Sequence, residues 1–262
     1  MRRLCRIGAA IVFALAGVTA GSSAGSAKTF TFLTESLPPF NHGEQENVKG
    51  PSRAIVDAVC QRLDADCRFE LLPKKRMMHR ARNGEADGLF SLGRNAERKE
   101  WMYFSKPLLQ TEYGFFVRAG DDMAYERPAD LAGYRVVTYG PSNMAKALRT
   151  LVETERPGVA GVTIDTNLRL SFRKLVGGRY GDQAAVFSNR DVGRHHLRHD
   201  NITGVRYAGA QRRLTYHVGF PKKAVSRDFV QRFDAALTAL REQGRVAEIL
   251  AEHDMEAAQL AR

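Results

Sequence analysis

The sequence predicts an α/β protein of two lobes, each a mainly parallel sheet flanked by helices, and three observations carry that expectation. Strand-like and helix-like segments alternate along the chain, the pattern that lays parallel strands under covering helices. The alternation restarts at RPADLAGYRVVTYG, so a second α/β unit follows the first and a cleft is expected between them. The 262 residues are also enough for one or two domains at about 100 to 200 residues each.

The elements follow in order. FTFLTE alternates as a strand and runs into LPPF, where Pro38 and Pro39 forbid continuation. SRAIVDAVCQRL sets Ile55, Val59 and Leu63 at helical spacing, with Ser52 as the expected N-cap. CRFELLP reads as a second strand, RMMHRARNG as a helix stopped by Gly84, and DGLFSL as a third strand. YGFFVRAG is another strand, and RPADLAGYRVVTYGPSNMAKALRTL then repeats the order of short helix, turn, strand, glycine turn and helix. GVTIDT, LRLSFRKLVGGR and QAAVFS continue as strand, helix and strand, and RRLTYHVGFP supplies one more strand. In the last helical stretch Phe229, Phe233, Leu237 and Leu240 share one face, so it packs back on a sheet.

Composition narrows the class. At 44% hydrophobic and 26% charged residues the chain is an ordinary globular protein, which excludes wholesale disorder, a collagen repeat and a polytopic membrane protein. The net charge of +11 favours anionic ligands, acidic partners or membrane surfaces without choosing among them.

The N-terminus speaks to compartment. Arg2, Arg3 and Arg6 precede the uncharged apolar stretch Ile7 to Ala20, and GSSAGSA follows with cleavage expected after Ala20, Ala24 or Ala27. Residues 1–27 are therefore expected to be a secretory signal peptide, since the apolar run falls short of the ~18 to 20 residues of a spanning helix. No cysteine follows that run for lipid attachment, and Cys5 lies too early. Export argues against nucleic acid as partner and leaves Cys60 and Cys67 where a disulfide persists. Such a bridge would pin a helix end to the next strand; the alternative is two buried free thiols.

Four segments taken together carry a resemblance: TESLPPF, NGEADGLFSLGRNAERKEWMYFSKPL, ADLAGYRVVTYGPS and LVGGRYGDQAAVF. In this order they resemble the bacterial extracellular solute-binding proteins of family 3, the two-lobed periplasmic amino-acid binders that serve ABC importers. The most specific piece runs from Gly84 to Pro107. The resemblance implies a periplasmic binding protein-like fold of type II with two hinge strands. The first lobe would comprise residues 28–117 and 217–262 and the second 118–216, with the chain crossing out near Val117 to Gly120 and back near Arg206 to Tyr216. It also implies a monomer, a small carboxylate-bearing ligand, and a membrane partner that is an ABC permease or a sensor.

Arg98 aligns with the family's carboxylate-binding arginine, and a guanidinium fork matches a carboxylate bidentately. Arg94, four residues earlier, reads as a solvated loop charge. Ser91 ends the DGLFSL strand, where open α/β sheets bind ligands. Phe40 resembles the aromatic that lies over the ligand in relatives. Ser142 and Asn143 begin a helix whose free N–H groups favour an anion, and Ser142 matches the hydroxyl residue that meets the carboxylate from the opposite lobe. Pro141 departs from the usual small hydroxyl residue and removes a donor.

Two further departures bear on the ligand. Relatives carry an acid after the QAAVFS strand to pair with the ligand ammonium, yet Ser188 and Asn189 stand there, flanked by Asp182 and Asp191. Glu35 is then expected to substitute, or the ligand is not a standard α-amino acid. Lys74 stands where relatives often have tryptophan. No cofactor fingerprint appears, and His195, His196 and His199 near Asp200 make only a weak metal pattern, in arginine-rich surroundings read as a solvated loop. Besides a binding protein, the scaffold admits a dehydratase-like enzyme using Glu35 as acid or base, and a periplasmic sensor subunit.

Overall fold

A computed structural model describes residues 29–253 and 255. The expected signal peptide lies outside the described residues. β1 (Phe30–Thr34) leads through a loop to the hairpin β2 (His42–Glu44) and β3 (Asn47–Lys49), then α1 (Pro51–Arg62), β4 (Cys67–Leu71), α2 (Lys74–Arg82), β5 (Gly88–Leu92), α3 (Ala96–Trp101) and β6 (Met102–Phe104). β1 pairs in parallel with β4 on one side and β5 on the other. α1 begins two residues earlier than expected: Gly50 takes the cap position, Pro51 opens the first turn, and Ser52 is buried inside the helix. Proline's fixed φ suits that first turn, which displaces Ser52 from the cap. Gly84, at φ +80°, ends α2 in the left-handed conformation.

The second unit contains β7 (Leu109–Arg118), a 3₁₀ turn at Pro128–Leu131, β8 (Arg135–Tyr139), α4 (Asn143–Glu155), β9 (Gly161–Asp165), α5 (Leu168–Val176), β10 (Ala184–Asn189) and α6 (Arg190–His199). β11 (Val205–Pro221), α7 (Arg227–Glu242) and α8 (Arg245–Ala251) complete the chain. β8 pairs in parallel with β9 and β10, while β7 and β11 close this sheet antiparallel. Each lobe thus has a parallel centre, as the alternation predicts, with antiparallel strands at the junction. The region around His195–His199, expected as a loop, is the end of helix α6.

β11 joins the lobes. It pairs with β7 from Val205 to Tyr216, and from His217 onward with β5 and β6 of the first sheet. The strand thus changes sheets between Tyr216 and His217. The outward crossing does not lie at 117–120: Tyr113 to Phe116 of β7 already pair with β10 in the second sheet, so the chain leaves the first lobe before Tyr113. A uniformly apolar strand such as YGFFV fits either sheet equally, and its pairing partner decides between them.

Apolar packing fixes each lobe. In the first, Phe32 packs on Phe69, Phe220 and Phe233, so β1, β11 and α7 share one core. Phe229, Phe233, Leu237 and Leu240 are all buried there, as their spacing predicts. In the second, Phe115 packs on Tyr125 and Phe187. Cys60 and Cys67 form the disulfide, with Cα atoms 6.3 Å apart, and tie the end of α1 to the start of β4. No helix among the described residues is long and apolar enough to cross a membrane.

Candidate functional site

The first lobe gathers polar groups where β1 and β5 end. Asn41 is fully buried, and its amide donates to Thr34 Oγ1 (2.8 Å) and to the Glu35 carbonyl (2.9 Å). Ser91 Oγ donates to Asn41 Oδ1, and Thr34 Oγ1 donates to the Phe90 carbonyl (3.3 Å). This chain of bonds fixes the 35–41 loop against the tip of β5. Ser91 itself sits at φ 57°, a left-handed backbone that a serine adopts only when its surroundings hold it there. Asn41 was not singled out by the sequence; an asparagine directly after a proline turn was the available signal.

Arg98 lies in the first turn of α3, with its backbone N–H donating to Asn95 Oδ1 (2.8 Å). Its Nη1 donates to the Gly93 carbonyl (2.7 Å), leaving the rest of the guanidinium fork without an acceptor among the described residues. Burial holds its pKa below the ordinary value, against the opposing pull of Glu35 and then Glu97. A half-buried cation with unused donors stands ready for an anion. Glu35 faces the same space but already pairs with Lys74 (3.0 Å). A ligand ammonium would therefore have to share that carboxylate.

Across the cleft, Ser142 caps α4: its Oγ accepts from Ala145 N–H (3.0 Å) and donates to the Tyr139 carbonyl (2.7 Å). Asn143 follows, exposed, as the first residue of that helix. The Tyr139 phenol is pushed up by burial and then by the Glu35 carboxylate, so a second-lobe ring feels a first-lobe acid. Tyr216 is pushed up as well, by burial first and then by Tyr113, Tyr139 and Glu35. These tyrosines at the junction were read from sequence only as strand residues.

Two expected site residues lie elsewhere. Phe40 is fully buried in the core and packs edge-on against Tyr216 at 5.0 Å, so it supports the junction and does not cover the cleft. Ser188 is also fully buried, with its hydroxyl donating to the Asn189 carbonyl (3.1 Å). Asn189 in turn caps α6, accepting from the N–H groups of Asp191 and Val192. Asp191, the nearest acid, accepts from Thr111 Oγ1 (2.6 Å) and pairs with Arg190 (3.3 Å), which also reaches Glu112 (3.1 Å). That carboxylate is committed to the junction. No group of three or more His, Cys, Asp or Glu side chains among the described residues is placed to hold a metal ion.

The structure thus brings Arg98, Ser91 and Glu35 together on the first lobe, sets Ser142 and Asn143 on the second, and withdraws Phe40 and Ser188 into the interior. The model of the bacterial extracellular solute-binding proteins, family 3, matches residues 31–254. Among solved structures the chain is similar to an ancestral arginine-binding protein bound to arginine, at 21% identity and TM-score 0.63, covering 86% of this chain and 97% of that one. It is similar also to a histidine kinase sensor domain with similarity to periplasmic binding proteins, at 18% identity and TM-score 0.66, covering 88% and 98%. A third is the probable amino-acid ABC transporter extracellular-binding protein ytmK of Bacillus subtilis, at 17% identity and TM-score 0.72, covering 86% and 97%. These likenesses establish the two-lobed type II fold. No curated protein matches the chain.

Proposed function

Because the chain belongs to the bacterial extracellular solute-binding proteins of family 3, we propose that it captures an amino acid or similar small carboxylate-bearing solute between its lobes, in the periplasm, for an ABC-type importer. The family is one of binding proteins and not of enzymes, which answers the dehydratase alternative. The observation that carries the reading is Arg98, a half-buried guanidinium with one acceptor among the described residues and the remainder of its fork unused there. Beside it, Ser91 and the backbone at the end of β5 supply further polar contacts, and Ser142 with the start of α4 meets the solute from the second lobe when the lobes close. Contacts made by both lobes at once are the ones that shift the open and closed populations.

The acid that relatives hold after the strand equivalent to β10 is replaced by buried Ser188, so the ammonium of an α-amino acid would rest on Glu35. With Lys74 already on that carboxylate, solutes lacking an ammonium compete on better terms. A thermal-shift screen of the signal-free protein against arginine, glutamine, glutamate and carboxylates without an amino group tests this. A ligand confined to the native state raises stability by about 2.7 kcal/mol at a hundredfold excess over Kd. A saturable shift absent in Arg98→Ala supports the reading; an equal shift in that variant overturns the carboxylate assignment. The likeness to a kinase sensor domain motivates the sensor reading, which wins if the same solute binds but a deletion strain imports it at the normal rate.

A further inference from the structure

Four histidines border one open groove of about 440 Å³ at the seam between the lobes. Pro39 and His42 come from the first-lobe loop and hairpin, and Glu252 and His253 from the end of α8, which packs on α1 of the same lobe. The opposite wall is α6 of the second lobe, contributing His195, Arg198 and His199. His195 and His199, one helical turn apart, stack with ring centroids 5.4 Å apart and planes only 8° from parallel. His42 Nδ1 is buried without a hydrogen-bond partner among the described residues. Imidazoles on both walls give this groove a capacity to change charge.

We propose that the groove is a proton-sensitive latch between the lobes: neutral imidazoles permit the arrangement seen here, and positive charge on the imidazoles that line it drives its two walls apart. The surrounding charges do not offset that repulsion. On α6 itself Asp200 is held by His196 (3.3 Å), and from α5 Arg169 approaches the same carboxylate (4.0 Å). Glu252 pairs with Arg245 (3.4 Å) on the C-terminal side. Arg194 lies over the Tyr207 ring of β11, and Glu112 of β7 is tied to Arg190. Each of these three carboxylates already has an arginine within 4.0 Å, and Arg198 adds a fixed positive charge in the groove. Consistent with this, the His195 pKa lies below its ordinary value, first through burial and then through His196, His199, His42 and Arg198. A lowered value means that charging His195 opposes the present arrangement, so the arrangement loses stability as pH falls. The groove also reaches the ligand site, because Pro39 and His42 flank Asn41, which holds Ser91 and the Glu35 carbonyl.

The test is the distance between spin labels on Gln231→Cys of α7 and Thr150→Cys of α4, measured without ligand at about pH 7.5 and about pH 5.5, either side of the ordinary imidazole value. The expected result is a pH-dependent shift in lobe separation that falls by roughly half or more in the His195→Gln/His199→Gln variant, since the repulsion needs charge on both walls. His42→Gln, which alters only the facing wall, should weaken the shift too, while exposed His79→Gln leaves it intact. Buried His217 at the return crossing, its pKa pushed down to about 4 by burial, stays neutral across this range in every variant. A shift that persists undiminished in the double variant, or no shift at all, overturns the proposal. The measurement is independent of whether the solute proposed above is the right one, because no ligand is present.

Discussion

The two lobes prepare for a ligand differently. The first holds its polar groups in place before any ligand arrives: Asn41 fixes Ser91, Gly93 fixes one edge of Arg98, and Lys74 fixes Glu35. The second spends its polar groups internally. Ser142 caps α4, Ser188 bonds its own strand, Asn189 caps α6, and Asp191 is tied to Thr111 and Arg190. On the function proposed above, the contrast would give capture to the first lobe, whose preset geometry lowers the ordering cost of binding, and closure to the second.

The largest expected effect breaks the first lobe's side of this contrast. Arg98→Ala should cost about 3 kcal/mol, or over a hundredfold in Kd by titration calorimetry, because it removes a charge-assisted bidentate contact from a half-buried place. Arg98→Lys sharpens the point. Lysine keeps the charge without the planar fork, so it should recover less than half of the loss. Full recovery would mean that charge, not geometry, makes the first lobe the capturing one.

The next effect lies between the lobes. His217, where β11 returns to the first sheet, bonds the Ser105 carbonyl through Nδ1 (2.8 Å) and Thr215 Oγ1 through Nε2 (2.9 Å). Burial pushes its pKa down to about 4. The unfolded chain binds this proton near pH 6.5 and the folded one only near 4, so stability is intact above the higher value and drains away as pH falls through that window. The loss approaches about 3 kcal/mol. Chemical denaturation across this range should show it, and His217→Gln should flatten the slope. An unchanged slope would place the acid-sensitive joint elsewhere.

Much of this molecule was legible from sequence because the signals were local. The strand and helix alternation, the buried face of α7 and the Cys60–Cys67 bridge each depend on residues close together in the chain. The misreadings share a different cause. Phe40 is buried because Tyr216 packs on it, β7 joins the second sheet because β10 pairs with it, and Ser188 is hidden by a fully buried strand. In each the partner is distant in sequence, and an aromatic or a serine at a strand end looks alike whether it faces a cleft or a core.

The smallest effect probes the second lobe, and it asks whether Ser142 does anything for the ligand beyond ending a helix. Its oxygen already accepts from Ala145 N–H, so Ser142→Ala should lower stability by about 1 kcal/mol, a shift of a few degrees in Tm. If the hydroxyl also meets the solute on closure, Kd should weaken by about fivefold in addition. Ser142→Asn separates the two roles, because asparagine caps as well as serine but sets its polar group farther from the helix end. Restored Tm with weakened Kd would give Ser142 a place in the closed site. Restored Tm with unchanged Kd would leave the second lobe contributing shape and the exposed N–H groups of α4 alone, and would make the contrast between the lobes sharper than the present geometry already draws it.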